Sequence, residues 1–448
     1  MTRLKLLAIG LVSAIALFCL APTAWAFCGF YVAQADTSLY NQASQVAIAR
    51  SGSRTVLTMA NDYQGEVANF AMVVPVPTVL EEGQVNVGDP AIIERLDTFS
   101  APRLVEYFDP DPCQPQMEYL LDAAPTSPAS GAINQSARAA EAELGVTVES
   151  EFTVGEYDIV ILSAQESDGL ETWLRQNDYR IPRGASELLR PYIRQDMKFF
   201  VAKVNIAEFD QSGIQKLRPL QIAYESPRFM LPIRLGMINA QAAQDLVVYL
   251  MTPHGQAELT NYRKVNIPSN VDIPVFVKDE FGQFYTDMFQ ASYNREGQNV
   301  AFLEYAWNMA GCDPCSAPIL TPEELRKAGV FWIDRNGQQF APQGRRRGDV
   351  FITRLHVRYT RDKFPEDLMF QETGNTQLFQ GRYVMRHAFE GEALCEAGEA
   401  YKRSLPERFE QEAQTLARLT GWNINDIRAK LPDVAANPIP WWQNLWGN

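Results

Sequence analysis

Between Leu6 and Ala21 the chain carries no charged residue, and no apolar run long enough to span a membrane follows it. Downstream, the hydrophobic positions fall into short units. Residues 46–49, 55–59 and 68–74 are apolar or alternating runs, separated by Ser51-Gly52-Ser53 and by the turn-rich stretch from Asn61 to Gly65. Such runs between turn residues predict an antiparallel strand meander over 27–77. A helix is predicted over 89–99: Asp89 supplies the cap, Pro90 the first turn, and Ile92, Ile93 and Leu96 one apolar face. Residues 123–144 are rich in Ala, Ser, Pro and Glu and read as a linker. Beyond it, strands are expected over 146–154, 157–162, 198–205, 219–224, 230–235, 246–251, 300–305, 350–359 and 382–389. Helices are expected over 169–177, 186–194 and 276–293, with a short one capped at Thr321. Ser404-Leu405-Pro406-Glu407 resembles a capping box that opens a further helix, with Phe409, Ala413, Leu416 and Ala417 as its stripe and Gly421 as its stop. Ile424, Ile427 and Leu431 suggest one more helix before Pro432.

Strands and helices alternate without a regular βαβ rhythm, which argues for an α+β fold with mixed, mainly antiparallel sheets, packed helices and a helical C-terminal tail. The pattern divides into an N-terminal β-rich unit (27–122), the linker (123–144), an α+β unit (145–390) and a C-terminal helical segment (391–448). Hydrophobic residues at 46% and charged residues at 21% are ordinary globular values.

Arg3 and Lys5 precede the N-terminal apolar run, and Ala24 and Ala26 place small residues before a cut ahead of Phe27. That layout predicts a signal peptide over 1–26, its core shorter than the roughly 20 residues a membrane anchor needs. The protein is therefore expected to be exported, to the periplasm or beyond the cell. Without that segment the chain holds 38 basic and 54 acidic residues, a formal charge of −16. So acidic a surface disfavours nucleic acid and anionic lipid as partners. Trp441, Trp442 and Trp446 suit a cap on the core of their own domain better than a membrane or protein contact.

Several stretches together point to a family. Cys28-Gly29-Phe30 follows the expected cut, and Pro75-Val76-Pro77 ends the third run. After them come Trp173-Leu174 with Tyr179-Arg180-Ile181-Pro182, and then Leu231-Pro232-Ile233-Arg234-Leu235. Cys312-Asp313-Pro314-Cys315 and the run from Thr353 to Tyr359 complete the set. In that order the chain resembles the bacterial secreted family known as domain of unknown function 2330, from about Cys28 to Gln371. The resemblance implies an exported protein of unsettled biochemistry and supplies no catalytic residue.

Five cysteines follow the expected cut: Cys28, Cys113, Cys312, Cys315 and Cys395. The odd count allows two internal disulfides and one remaining thiol. Cys312 and Cys315 have thiol–disulfide oxidoreductase spacing, but no βαβ context surrounds them; either they bridge each other or each reaches a distant cysteine such as Cys113 or Cys395. Zinc would need four ligands, and one such pair supplies two, so no metal and no cofactor is expected. Over 350–360, period two puts Arg354, His356 and Arg358 on one face, where they could receive an anionic ligand or pair with acidic neighbours. Arg382 and Arg386 would extend that face if their strand adjoined. No zinc-protease, nucleophile-elbow or phosphate-loop pattern occurs. The leading expectation is a non-enzymatic envelope or periplasmic protein that binds or scaffolds, held by disulfides, with another envelope protein as a candidate partner. The alternatives are a thiol–disulfide oxidoreductase using Cys312 and Cys315, and an exported hydrolase or anionic-ligand binder around Arg354, His356 and Arg358.

Overall fold

A computed structural model describes residues 44–60, 71–114, 146–177, 185–212, 217–238, 243–311, 317–333 and 349–432, with Asp313 and five short strand segments at 30–31, 40–41, 63–64, 338–339 and 346–347. The fold is α+β, with mixed and antiparallel sheets. Two large sheets pack face to face, and helices cover both outer faces.

The larger sheet has nine strands. Across it run β11 (Arg263–Asn266), β13 (Val300–Asn308), β14 (Phe351–Tyr359), β10 (Gln244–Thr252), β1 (Ser44–Ser51), β2 (Arg54–Ala60), β9 (Leu220–Glu225) and β4 (Val85–Val87), with Phe379–Gln380 added beside β13. The β11–β13 and β10–β1 pairs are parallel, and the rest are antiparallel. The smaller sheet is antiparallel throughout: Phe30–Tyr31, β3 (Ala71–Val76), β8 (Lys198–Val204), β7 (Tyr157–Ala164) and β6 (Val146–Val154).

Alternation along these strands builds the layers. Ile48, Leu57, Val248, Leu355 and Val357 point from the larger sheet into one core, and Met72, Val74, Ile159 and Phe200 meet them from the smaller. The outward residues Val73, Leu162 and Phe199 are covered by α2 (Ser167–Gln176) and α3 (Ala185–Ile193) through Leu170, Leu174 and Leu189. On the far side of the larger sheet, Ala47, Tyr249, Met251 and Ile352 lie against α1 (Pro90–Ser100) and α5 (Pro322–Lys327). Next to them, Val300 and Phe302 lie against α4 (Phe281–Arg295). Asp89 accepts the Ala91 N–H at 3.0 Å and Pro90 starts α1, as the local sequence requires.

The strand pattern does not divide at the linker. The hairpin of β1 and β2 joins the larger sheet, but β3 crosses to the smaller one, so residues 27–77 do not form one meander. Both sheets combine strands from before 122 with strands from after 145. Both faces of β3 are buried, and nothing local in an all-apolar run specifies which sheet it enters. The run expected as a strand over 230–235 is a two-residue strand followed by a 3₁₀ turn at Arg234–Ile238. The linker and the C-terminal tryptophans lie outside the described residues.

The tail corrects a second expectation. Helix α6 runs Glu396–Thr420, straight through Pro406, so Ser404 is no cap. Cys395 is the cap, its Sγ accepting the Gly398 N–H at 3.2 Å, and the Ser404 hydroxyl instead donates to the Tyr401 carbonyl. Gly421 ends the helix at φ +80°, and α7 (Ile424–Arg428) follows. Ala413, Leu416 and Leu419 seat α6 in the same core as α4. Among the described residues, no helix is long and apolar enough to cross a membrane.

Candidate functional site

Strand β14 sits between β13 and β10 near the middle of the larger sheet. Leu355, Val357 and Tyr359 enter the inter-sheet core, which turns Arg354, His356 and Arg358 toward the helices. On β10 the same parity brings Asp245 and Tyr249 to that side. The decisive acid comes from a bulge. The β13–β14 register slips between Leu303 and Tyr305, so Glu304 is an extra residue and both it and Tyr305 face the helices. A bulge re-aims a side chain in this way.

Each cation is held by carboxylates. The Arg354 Nε donates to Glu304 Oε2 at 2.5 Å, and its Nη1 to Asp97 Oδ1 on α1 at 2.7 Å. The Tyr249 hydroxyl donates to the same Asp97 oxygen at 2.8 Å. His356 places Nδ1 2.8 Å from Glu304 Oε1 and Nε2 3.3 Å from Asp245 Oδ1. Its ring stacks on Phe289 of α4, centroids 3.9 Å apart. Arg358 grips Asp245 with two bonds, of 2.8 and 2.6 Å, and lies over Phe289 and Tyr293. The Tyr285 hydroxyl completes the set by donating to Glu304.

Glu304 is fully buried and Arg354 is 6% exposed. Burial alone would protonate Glu304, but Arg354 and His356 hold it down to about 2. Burial alone would likewise discharge His356; the Glu304 and Asp245 carboxylates override it and lift the imidazole to about 9. Asp245 is depressed although burial opposes this, through its bonds to His356 and Arg358. Near neutral pH the imidazolium therefore donates from both nitrogens. Three cations face three carboxylates and the network is neutral. In that state His356 has no lone pair with which to act as a base. Ser100, the hydroxyl beside Arg354, donates to the Leu96 carbonyl at 2.6 Å. Sequence reasoning located the cations but not Glu304, Asp97 or Asp245.

The profile of a family described as an uncharacterized protein conserved in bacteria, DUF2330, matches residues 22–371. The chain belongs to this family. No curated protein and no solved structure is significantly similar to it. The family region of this DUF2330 protein contains β14 and every partner of its three cations.

Cys113, inside that region, is bonded to Cys395, beyond it, across 282 residues. The alternatives in which Cys312 or Cys315 bridges Cys113 or Cys395 are thereby overturned: both partners are taken, because the turn after β5 (Arg103–Phe108) lies against the start of α6. Spacing could not reveal this, since connectivity depends on which chain ends the fold brings together. Cys28, Cys312 and Cys315 lie outside the described residues. Between the last two, Asp313 is buried and accepts from the Tyr305 hydroxyl at 2.9 Å and the Gln380 amide at 2.8 Å.

Arg382 and Arg386 do not extend the β14 face. Their strand, β15 (Arg382–His387), lies in a separate three-stranded sheet, paired parallel with β5 and β12 (Val271–Asp272). There Arg386 pairs with Asp272, and His387 stacks on Phe108 with Nε2 2.8 Å from Glu106. His254 is exposed, and its backbone N–H donates to Glu372. Among the described residues no group of three or more His, Cys, Asp or Glu is arranged to hold a metal ion.

Proposed function

We propose that this DUF2330 protein is exported and acts in the cell envelope as a non-enzymatic binding or scaffolding protein, with Cys113–Cys395 as its clamp. The disulfide carries this reading. It closes a 282-residue loop between the family region and the tail helix, and such bonds persist in oxidising compartments. The N-terminal segment with Arg3, Lys5 and Ala24-Trp25-Ala26 supports the same destination. The saturated β14 network favours a structural role for Arg354, His356 and Arg358 over hydrolysis or anion capture, because a ligand would first have to displace a buried carboxylate. Asp313, tied to Tyr305 and Gln380, supports a structural rather than a redox role for Cys312 and Cys315.

The test is cell fractionation with N-terminal sequencing and non-reducing peptide mapping. The reading predicts an extracytoplasmic protein beginning at Phe27 with Cys113 and Cys395 in one linked peptide. An uncleaved cytoplasmic protein with both thiols free would end it.

A further inference from the structure

Where α7 approaches α4, a groove of about 330 Å³ is lined by Phe276, Glu280, Trp422, Asp426, Ile427 and Lys430. Trp422 is fixed as one wall, its indole N–H donating to Asp287 Oδ2 at 2.7 Å. Lys430 lines the groove: its ammonium ion-pairs with Glu280 at 2.5 Å and sits 5.1 Å from the Phe276 ring centre. Asp426, also on the lining, has no ion pair among the described residues. The groove thus combines aromatic faces, one occupied carboxylate and one open carboxylate, a combination suited to an ammonium group. Its volume is at the small end for ligand pockets and fits one long side chain or a small amine. Trp422, Asp426 and Lys430 lie beyond residue 371, so the groove depends on this chain's own tail.

We infer that the groove is a binding site for an alkylammonium ion about the length of a lysine side chain, with Lys430 as an internal placeholder. The ligand ammonium takes the place of the Lys430 ammonium between Phe276 and Glu280, or lies beside it against Trp422 and Asp426. The Lys430–Glu280 pair is about half exposed, at 47% and 37%, so solvent and salt weaken it and displacement is easy. This inference stands apart from the assignment to the envelope, and either can fail alone.

The test is calorimetric titration of the purified protein with cadaverine and with Nα-acetyl-lysine methylamide, the uncharged norleucine analogue being the control. Both amines should bind and the control should not. Tighter binding of the lysine derivative assigns the site to a polypeptide side chain, and tighter binding of cadaverine assigns it to a free amine. Lys430→Gln should strengthen binding by roughly 2- to 5-fold by removing the competitor. Asp426→Asn, an exposed change that keeps the fold, should weaken it by roughly 3- to 10-fold, and Trp422→Leu by about 10-fold. Equal binding of the norleucine analogue, or amine affinities unchanged by both Asp426→Asn and Lys430→Gln, would overturn the assignment.

Discussion

The β14 network and the cluster beneath α6 are made of the same kinds of side chain and behave in opposite ways. In the first, Glu304 receives Arg354, His356 and Tyr285, and its carboxyl is held near 2. In the second, Glu412 is 3% exposed, yet its nearest cation, the Arg408 Nε, stands 3.6 Å away and Glu412 Oε1 has no hydrogen bond. Burial, with Asp272 and Asp109 nearby, lifts Glu412 to about 7 although Arg408 opposes it. Arg408 is drawn toward Asp109 at 2.5 Å, which also accepts from Tyr401. Burying charge is thus compensated where a bulge delivers the counter-charge within bonding distance, and costly where the nearest cation is shared with another carboxylate.

The largest effect should come from breaking the well-built network. Glu304→Gln leaves Arg354 and His356 short of a carboxylate and should cost about 3–5 kcal/mol in denaturant unfolding. A loss below about 1 kcal/mol would mean that the network contributes no more than a surface ion pair.

The pH dependence sharpens the comparison next. Folding raises His356 from 6.5 to about 9. Its contribution is therefore full below pH 6.5 and is lost as pH climbs through 9. Between pH 7 and 9.5 the protein should lose about 2–3 kcal/mol, and His356→Gln should flatten that slope. Glu304, lowered from 4.5 to about 2, contributes fully above pH 4.5 and fails as pH falls through 2.

The smallest effect belongs to the second cluster. Glu412 is raised from 4.5 to about 7, so its favourable contribution is complete below pH 4.5 and vanishes as pH passes 7. Glu412→Gln should add about 1–2 kcal/mol at pH 8 and nothing at pH 4, measured by urea unfolding. Destabilisation at pH 8 would show that Arg408 needs the charge more than the helix suffers from it.

Much of this was legible in the chain. Strand β14 and its parity followed from alternation alone, and α1 from its Asp89 cap, Pro90 and helical apolar face. Glu304 was hidden because a bulge breaks period two, and no local residue announces a bulge formed by pairing with a distant strand. Asp97 reaches Arg354 from a helix 257 positions away, a separation that only the fold closes. The start of α6 was misplaced because Ser404 and Pro406 imitate an entry signal. The actual cap is a cysteine whose position is fixed by its disulfide.

The central claim is that the cations of β14 are held by the structure. It is tested most directly on His356. The chain has three histidines, so ¹⁵N-histidine labelling gives a spectrum that His356→Gln can assign. One imidazole should keep both ring protons at pH 8 and titrate near 9. If all three rings titrate near 6.5, the carboxylates do not hold His356 and the account of the site is wrong.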